Sequence, residues 1–353
     1  MGPVPEELAK LLTDWYRKNA RDLPWRGTGD PYRIWISEIM LQQTRIEAVK
    51  DYYERFTAAF PTLTALAEAS EETVLKAWEG LGYYSRARNL HRTAKICEER
   101  FGGKLPESFA ELLKLPGIGR YTAGAVASIA FGENVPAVDG NVLRVLCRVL
   151  GDSRNVLEPP IRTEAEECLR ELPKEDPGGF NEAVMELGET VCLPGGKPLC
   201  GVCPLRNLCT ACLEGRESEL PVRLAKTGKK TEEWTVLRIV CRGRLALEQR
   251  PARGLLAGLW LLPMLPGKLT REELPAALAA RFGKLPEGTE PVLLGEAKHV
   301  FTHRIWRMTG FGLECGEEWP GLTYISPGDT THPLPAAARF YLPPEFGTGE
   351  KED

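Results

Sequence analysis

Five of the ten cysteines of this 353-residue chain fall between positions 192 and 212, in the stretch CLPGGKPLCGVCPLRNLCTAC. Thiols gathered in one short loop point to a metal rather than a disulfide framework, because the start MGPVPEELAK has neither the basic residues nor the apolar stretch of a secretion signal. Cys97, Cys147, Cys168, Cys241 and Cys315 are scattered and read as small apolar packing residues. A second chemical signal is Glu38, the one ionisable residue in the apolar run 34–41. Burial there strips water from the carboxylate, raises its pKa and keeps it protonated near neutrality, which a general acid requires. The bland alternative is a core glutamate paired with Arg26 or Arg45. A third signal is Asp139, twenty residues beyond Gly119 in the turn Pro116-Gly117-Ile118-Gly119.

The elements that must position these groups follow from pattern. Residues 111–141 read as a helix ending near Leu115, the tight turn, a second helix through Ile129, and a loop that delivers Asp139. Gly117 and Gly119 permit positive φ and close backbone approach, and the open N–H groups of the second helix form a site for one phosphate. This is the pattern of a helix-hairpin-helix, with an ordinary αα-corner as the alternative for the glycines alone. Upstream, an amphipathic helix (Leu8, Leu11, Leu12, Trp15) leads into the loop RDLPWRG. Residues 32–56 are predicted to be one long helical stretch holding Glu38, with Gln42, Gln43 and Thr44 at a helix end. Gly80 and Gly82 make a turn that presents Tyr83 and Tyr84 beside Arg86, Arg88, Arg92, Lys95, Arg100 and Lys104, a combination suited to base stacking and phosphate contact, although one of the two tyrosines is expected in the core. FNEAVMELG, 180–188, has helical apolar spacing and reads mostly as core.

Hairpin, spacer and Asp139 together resemble the DNA glycosylase superfamily typified by endonuclease III. Tyr121 narrows the resemblance: strand-cutting members carry a lysine there, whose amine attacks the sugar carbon, and a phenol cannot do that. LPGIGRYTAGA with AVDGNV is similar to adenine DNA glycosylases of the MutY type, which implies a monofunctional enzyme that removes adenine mispaired with 8-oxoguanine or guanine. The resemblance implies Glu38 as acid, Asp139 as the carboxylate serving the sugar, and Tyr121 and Asn141 as orienting groups. It also implies that Arg21, Leu23, Trp25, Arg26 and Glu182 line the base pocket. Gln42, Gln43 and Thr44 would fill the gap left by the extruded base, with Tyr83 or Tyr84 as a wedge, Arg86 on DNA, and Gly117 and Gly119 gripping the backbone. Rival readings are an endonuclease III type glycosylase for oxidised pyrimidines and a non-catalytic iron-sulfur DNA-binding protein.

The superfamily's cluster loop runs C-x6-C-x2-C-x5-C, and Cys192, Cys200, Cys203 and Cys209 give x7, x2 and x5. One [4Fe-4S] cluster is the reading, with zinc on Cys200, Cys203, Cys209 and Cys212 as the alternative. Residues 213–232 are polar, charged and aperiodic, hence a linker. Beyond them, two strands around Arg242-Gly243, a helical segment 270–282 and strands near 291–295, 298–304 and 306–313 resemble a Nudix fold. The glutamates that hold Mg²⁺ in Nudix hydrolases are missing after Gly258. In adenine glycosylases this module recognises 8-oxoguanine through a Phe-Ser-His loop, and Phe301, Thr302 and His303 take that place. The expected class is therefore multidomain α and α/β: an all-helical domain 1–212 with hairpin (about 111–130) and cluster loop (192–212), a linker 213–232, a Nudix-like domain 233–345 and a polar tail 346–353. With 43% hydrophobic and 27% charged residues and no apolar run of membrane length, the chain is expected to be intracellular (cytoplasmic or on the nucleoid in a bacterium), a monomer, and bound to double-stranded DNA. A net charge of −4 leaves DNA contact to local basic patches.

Overall fold

A computed structural model describes residues 1–172, 174–195, 197–224, 228–283 and 290–346. The expected polar tail lies outside the described residues beyond Phe346. Two compact units emerge: one joins Met1–Ala69 to Ser85–Lys226, the other joins Ser70–Tyr84 to Thr227–Asp353.

The first unit is helical: α1 (Glu7–Asn19), α2 (Pro31–Met40), α3 (Ile46–Ala59) and α4 (Leu63–Glu68) precede the segment 70–84, whose helix α5 (Glu71–Ala77) belongs to the second unit. The first unit then resumes with α6 (Ser85–Phe101), α7 (Phe109–Leu112), α8 (Arg120–Phe131), α9 (Gly140–Leu150), α10 (Pro159–Glu171), α11 (Pro177–Thr190) and the short α12 (Thr210–Leu213). Helix starts obey local chemistry. Asp30 caps α2 by accepting from Tyr32 N at 2.9 Å, with Pro31 at the first position, and Asp176 and Pro177 repeat the device on α11. Helix α11 is central, packing on α1, α8 and α9. Its closeness to α9 depends on Gly188, where a Cβ would stand 2.6 Å from Asn141 Cβ.

The expected single helix over 32–56 is instead two helices. The break has a tertiary cause: Arg86 Nη1, from α6, donates to the carbonyls of Ile39, Met40 and Gln42 at 2.9, 2.8 and 2.6 Å, satisfying the end of α2, and Gln43 takes φ 59°. At the hairpin, α7 ends at Leu112, and Gly117 (φ 74°) sits against Asn89, where a Cβ would come within 2.5 Å. Gly119 differs from expectation: its φ is −88°, open to any residue, and it caps α8 without a side chain, which leaves that helix's first N–H groups without a side-chain acceptor from the cap.

The second unit is built on a seven-stranded sheet ordered β3-β2-β1-β6-β5, from β1 (Lys230–Cys241), β2 (Arg244–Gln249), β3 (Trp260–Leu261), β4 (Met264–Pro266), β5 (Val292–Val300), β6 (Arg304–Cys315) and β7 (Thr323–Ile325). Strands β4 and β7 add to β1 and β2. Arg242 and Gly243, both at positive φ, turn β1 into antiparallel β2 as expected, and β1 pairs in parallel with β6 along its whole length. Strand β1 begins inside the stretch read as linker. Alternation along β1 sends Leu237, Ile239 and Cys241 to the face covered by α13 (Leu274–Phe282), and Val236 to the face holding Trp306, Met308 and Tyr341. The break expected near 295–298 is absent; a bulge at Leu293/Gly295 absorbs the irregularity within one strand.

Candidate active site

In the first unit, α2, α8, α9 and α11 converge on a cleft of about 400 Å³. Its walls include Arg21, Leu23, Trp25, Arg26, Glu38, Gln43, Thr44, Tyr121, Asp139, Asn141 and Glu182. These are eleven of the groups picked from sequence, brought together from five separate stretches.

Glu38 lies on the last turns of α2 and is 6% exposed. Neither Arg26 nor Arg45 pairs with it, and its Oε2 is buried without a hydrogen-bond partner. Burial pushes its carboxyl up to about 7; the Tyr121 hydroxyl pulls it down, and the charges of Glu182 and Asp139 push it further up. Glu38 also borders a second cleft of about 420 Å³ on its other side, lined by Tyr16, Gly27, Gly29, Gly179 and Glu182 among others. The Tyr121 hydroxyl donates to Met185 Sδ at 3.1 Å, and burial with the neighbouring carboxylates drives its own pKa upward.

Asp139 occupies the N-cap of α9. Its Oδ1 accepts from Val142 N at 2.8 Å and its Oδ2 from Asn141 Nδ2 at 3.0 Å. Burial raises this carboxyl, against the opposing pull of the backbone N–H groups of Val142 and Asn141. Asn141 is itself held: its Nδ2 donates to Glu189 Oε1 at 2.7 Å, and its Oδ1 accepts from Arg144 Nη2 at 2.8 Å. Arg144 continues to the carbonyls of Gly188 and Cys192.

The RDLPWRG loop is pinned by a residue the sequence reading missed. Glu186 of α11, 1% exposed, accepts from Arg21 Nε and Nη2 at 2.7 and 2.8 Å and from Arg26 Nη2 at 2.6 Å. Burial alone would raise it, yet the hydrogen bonds and charges of Arg21 and Arg26 outweigh burial and hold it at about 2. Glu182, one turn earlier, lies 4.0 Å from Arg26, and its pKa is raised chiefly by burial. The available signal was the spacing Glu182, Glu186, Glu189: three acids along one face of an otherwise apolar helix.

Two expected DNA contacts are corrected. Arg86 is buried and spends its guanidinium on the carbonyls that end α2 and on Thr44 Oγ1 at 3.2 Å, so it is a structural clasp. Tyr84 is 5% exposed, with its hydroxyl accepting from Gly80 N, while Tyr83 is 46% exposed. Gln42 turns inward, its Nε2 donating to Thr122 Oγ1 at 3.1 Å, whereas Gln43 is exposed.

In the second unit, Phe301, Thr302 and His303 form the turn between β5 and β6 rather than a strand, closed by Phe301 N donating to Arg304 O at 2.8 Å. Phe301 packs edge-on against Trp306 and His299, and Thr302 and His303 are exposed. Tyr83, in the same unit, has its hydroxyl 3.0 Å from Thr302 Oγ1. Helix α13, LPAALAARF, carries no carboxylate for a metal.

The cysteines of the loop line one cavity with apolar walls from Val145, Val149, Leu187 and Leu205. Cys192 Sγ accepts from Arg148 Nη1 at 3.2 Å. Several thiols around one dry space, with a cation against one of them, form a donor set that suits an iron-sulfur cluster. Among the described residues no helix is long and apolar enough to cross a membrane.

Fold and cleft define the class: residues 36–171 match the HhH-GPD superfamily of base excision DNA repair proteins, and residues 235–342 match the NUDIX domain. Among solved structures, a thermostable thymine-DNA glycosylase is 30% identical over 58% of this chain and 95% of that chain, with a TM-score of 0.53. An endonuclease III–DNA complex is 25% identical over 60% and 98%, with a TM-score of 0.51. The adenine DNA glycosylase of Homo sapiens is 37% identical over 90% of this chain and 68% of the human one. The chain belongs to the adenine DNA glycosylase family.

Proposed function

We propose that this protein hydrolyses the N-glycosidic bond of adenine opposite 8-oxoguanine or guanine in double-stranded DNA and leaves the strand uncut. The observation that carries the reading is Glu38, a carboxyl with an unpartnered oxygen and a pKa near 7, in one cleft with Asp139 and Tyr121. A neutral carboxyl can hand a proton to N7 of a flipped adenine, making the base a neutral leaving group. As the C1′–N9 bond breaks, the Asp139 carboxylate stabilises the oxocarbenium-like sugar or captures it before water completes the hydrolysis. Asn141 fixes the orientation of Asp139, and Tyr121, which acts on Glu38 through its hydroxyl, offers no amine for a Schiff base. Trp25, Leu23, Arg26 and Glu182 form the base pocket; Gln43, Thr44 and the exposed N–H groups at α8 face the DNA. The protein acts as a monomer inside the cell, with a helical catalytic domain followed by a lesion-reading one.

In that second domain, Phe301, Thr302 and His303 read the opposite base. 8-Oxoguanine adds an N7–H donor, which the Thr302 hydroxyl accepts. The cluster is a [4Fe-4S] on Cys192, Cys200, Cys203 and Cys209; when bound it ties the loop rigidly to α9.

Single-turnover excision on duplexes with A opposite 8-oxoguanine tests the assignment. Glu38→Gln is expected to lose excision by at least about 10²–10⁴-fold while binding the mispair as wild type does; comparable rates would sink it. Replacing Phe301, Thr302 and His303 together by alanine should erase much of the preference over A·G, a contact worth about 1–3 kcal/mol, and spare bond cleavage. An unchanged ratio of the two rates would move the reader elsewhere.

A further inference from the structure

The cavity that takes the cluster is lined by one thiol more than a four-ligand cluster uses. Cys212 lines it alongside Cys192, Cys200, Cys203 and Cys209. It lies on the short α12, whose N-cap is Cys209. The donor atoms of Cys200, Cys212 and the Glu217 carboxylate all lie within 4.8 Å of one another. Cys200 is also the residue that follows the lengthened first gap, so its reach into the cavity is the least fixed by spacing. Both Cys200 and Cys212 are half-buried, whereas Cys209 is buried.

We propose that Cys200 and Cys212 are interchangeable ligands for one corner of the cluster, with Cys192, Cys203 and Cys209 holding the other three. The inference rests on the iron-sulfur reading above. Exchange conserves atoms and electrons: the Cys212 thiol gives up its proton and bonds the iron, the iron–sulfur bond to Cys200 breaks, and the Cys200 thiolate takes up a proton. The iron keeps its oxidation state and four sulfur ligands throughout. One of the two thiols is free at any moment, and neither is free always.

The test uses the full chain purified without oxygen, measuring iron and acid-labile sulfide per chain alongside visible absorption. Cys200→Ala and Cys212→Ala should each keep the wild-type iron content, about four per chain; the double variant should lose most of it, as Cys203→Ala should. Iodoacetamide on the wild-type holoprotein should add one label per chain to the peptides of Cys200 and Cys212 taken together, divided between the two and counted apart from any label on the half-buried Cys168 and Cys315, and this readout stands even where a variant does not fold. Iron loss in either single variant, or a label confined to one of the two cysteines, overturns the exchange. Zinc in place of iron in the wild type would instead overturn the cluster reading itself.

Discussion

Glu38 and Glu186 are the same side chain, both nearly sealed from water, on two helices that wall one cleft, yet their carboxyls stand at opposite ends of the titration range. Glu38 is held near 7 because nothing cationic bonds its buried oxygen; Glu186 is held near 2 because two guanidiniums do. The same burial thus yields an acid in one place and a permanent anion in the other, and the partner decides which. Arg26 stands between the two: it bonds Glu186 directly and acts on Glu38 only through its charge. The site proposed above needs a proton donor and a rigid base pocket, and it would get both by giving its arginines to one glutamate and denying them to the other.

Breaking the paired side has the largest expected effect. Glu186→Ala leaves Arg21 without its anion and Arg26 with only the more distant Glu182, and should destabilise folding by about 3 kcal/mol at pH 7, the low end for a broken buried pair because Arg21 is partly solvated. Urea unfolding with an unchanged slope measures it; a loss below the fitting error would mean that the loop is held by something else. The unpaired side should respond with the opposite sign. The folded pKa of Glu38 lies above its unfolded value, so between 4.5 and about 7 the unfolded chain has released a proton that the folded chain retains, and stability falls as pH rises through that window. Glu38→Gln removes that cost, and should stabilise the protein by up to about 3 kcal/mol at pH 8 and by nothing at pH 4. Equal midpoints for variant and wild type at both pH values would contradict a sealed acid that no cation bonds. The smallest effect sharpens the role of Arg26. The single-turnover rate should fall as pH rises through about 7, and Arg26→Met, which removes a charge favouring the Glu38 anion, should move that limb to higher pH. A shift to lower pH would show that Arg26 reaches Glu38 by another route.

Half of this contrast was legible in the sequence. Glu38 announces itself because an ionisable residue inside an apolar run can only be buried, and Asp139 because a hairpin and a fixed spacer lead to it. Glu186 does not, since its partners lie 160 and 165 positions away and a helical pattern says only which face is inward. Arg86 misled for the same reason: in a run of cations beside tyrosines it resembles its neighbours, and only the folded α2 reveals three carbonyls waiting for it. The α2–α3 break was hidden because it is made by that distant guanidinium rather than by a local glycine or proline. The β1–β2 turn, with its left-handed Arg242-Gly243 pair, was local and therefore readable. The helix-hairpin-helix and the Nudix-like sheet followed from periodicity and resemblance together, while the bulge that keeps β5 continuous left no trace in alternation.

Asp139 does two jobs with its two oxygens, one accepting from Val142 N to start α9 and the other facing Asn141. An asparagine there would keep the acceptor and the helix while surrendering the charge; an alanine would surrender both. Inactivating changes at this one position therefore divide into two kinds of molecule. The alanine form is weakened and removed by quality control, leaving a cell with less enzyme. Under the role proposed for Asp139, the asparagine form is expected to fold, persist and still bind the proposed mispair, so that it would stand on damaged sites without clearing them and keep working copies away. Of two losses at the same carboxylate, the better folded one does the greater harm.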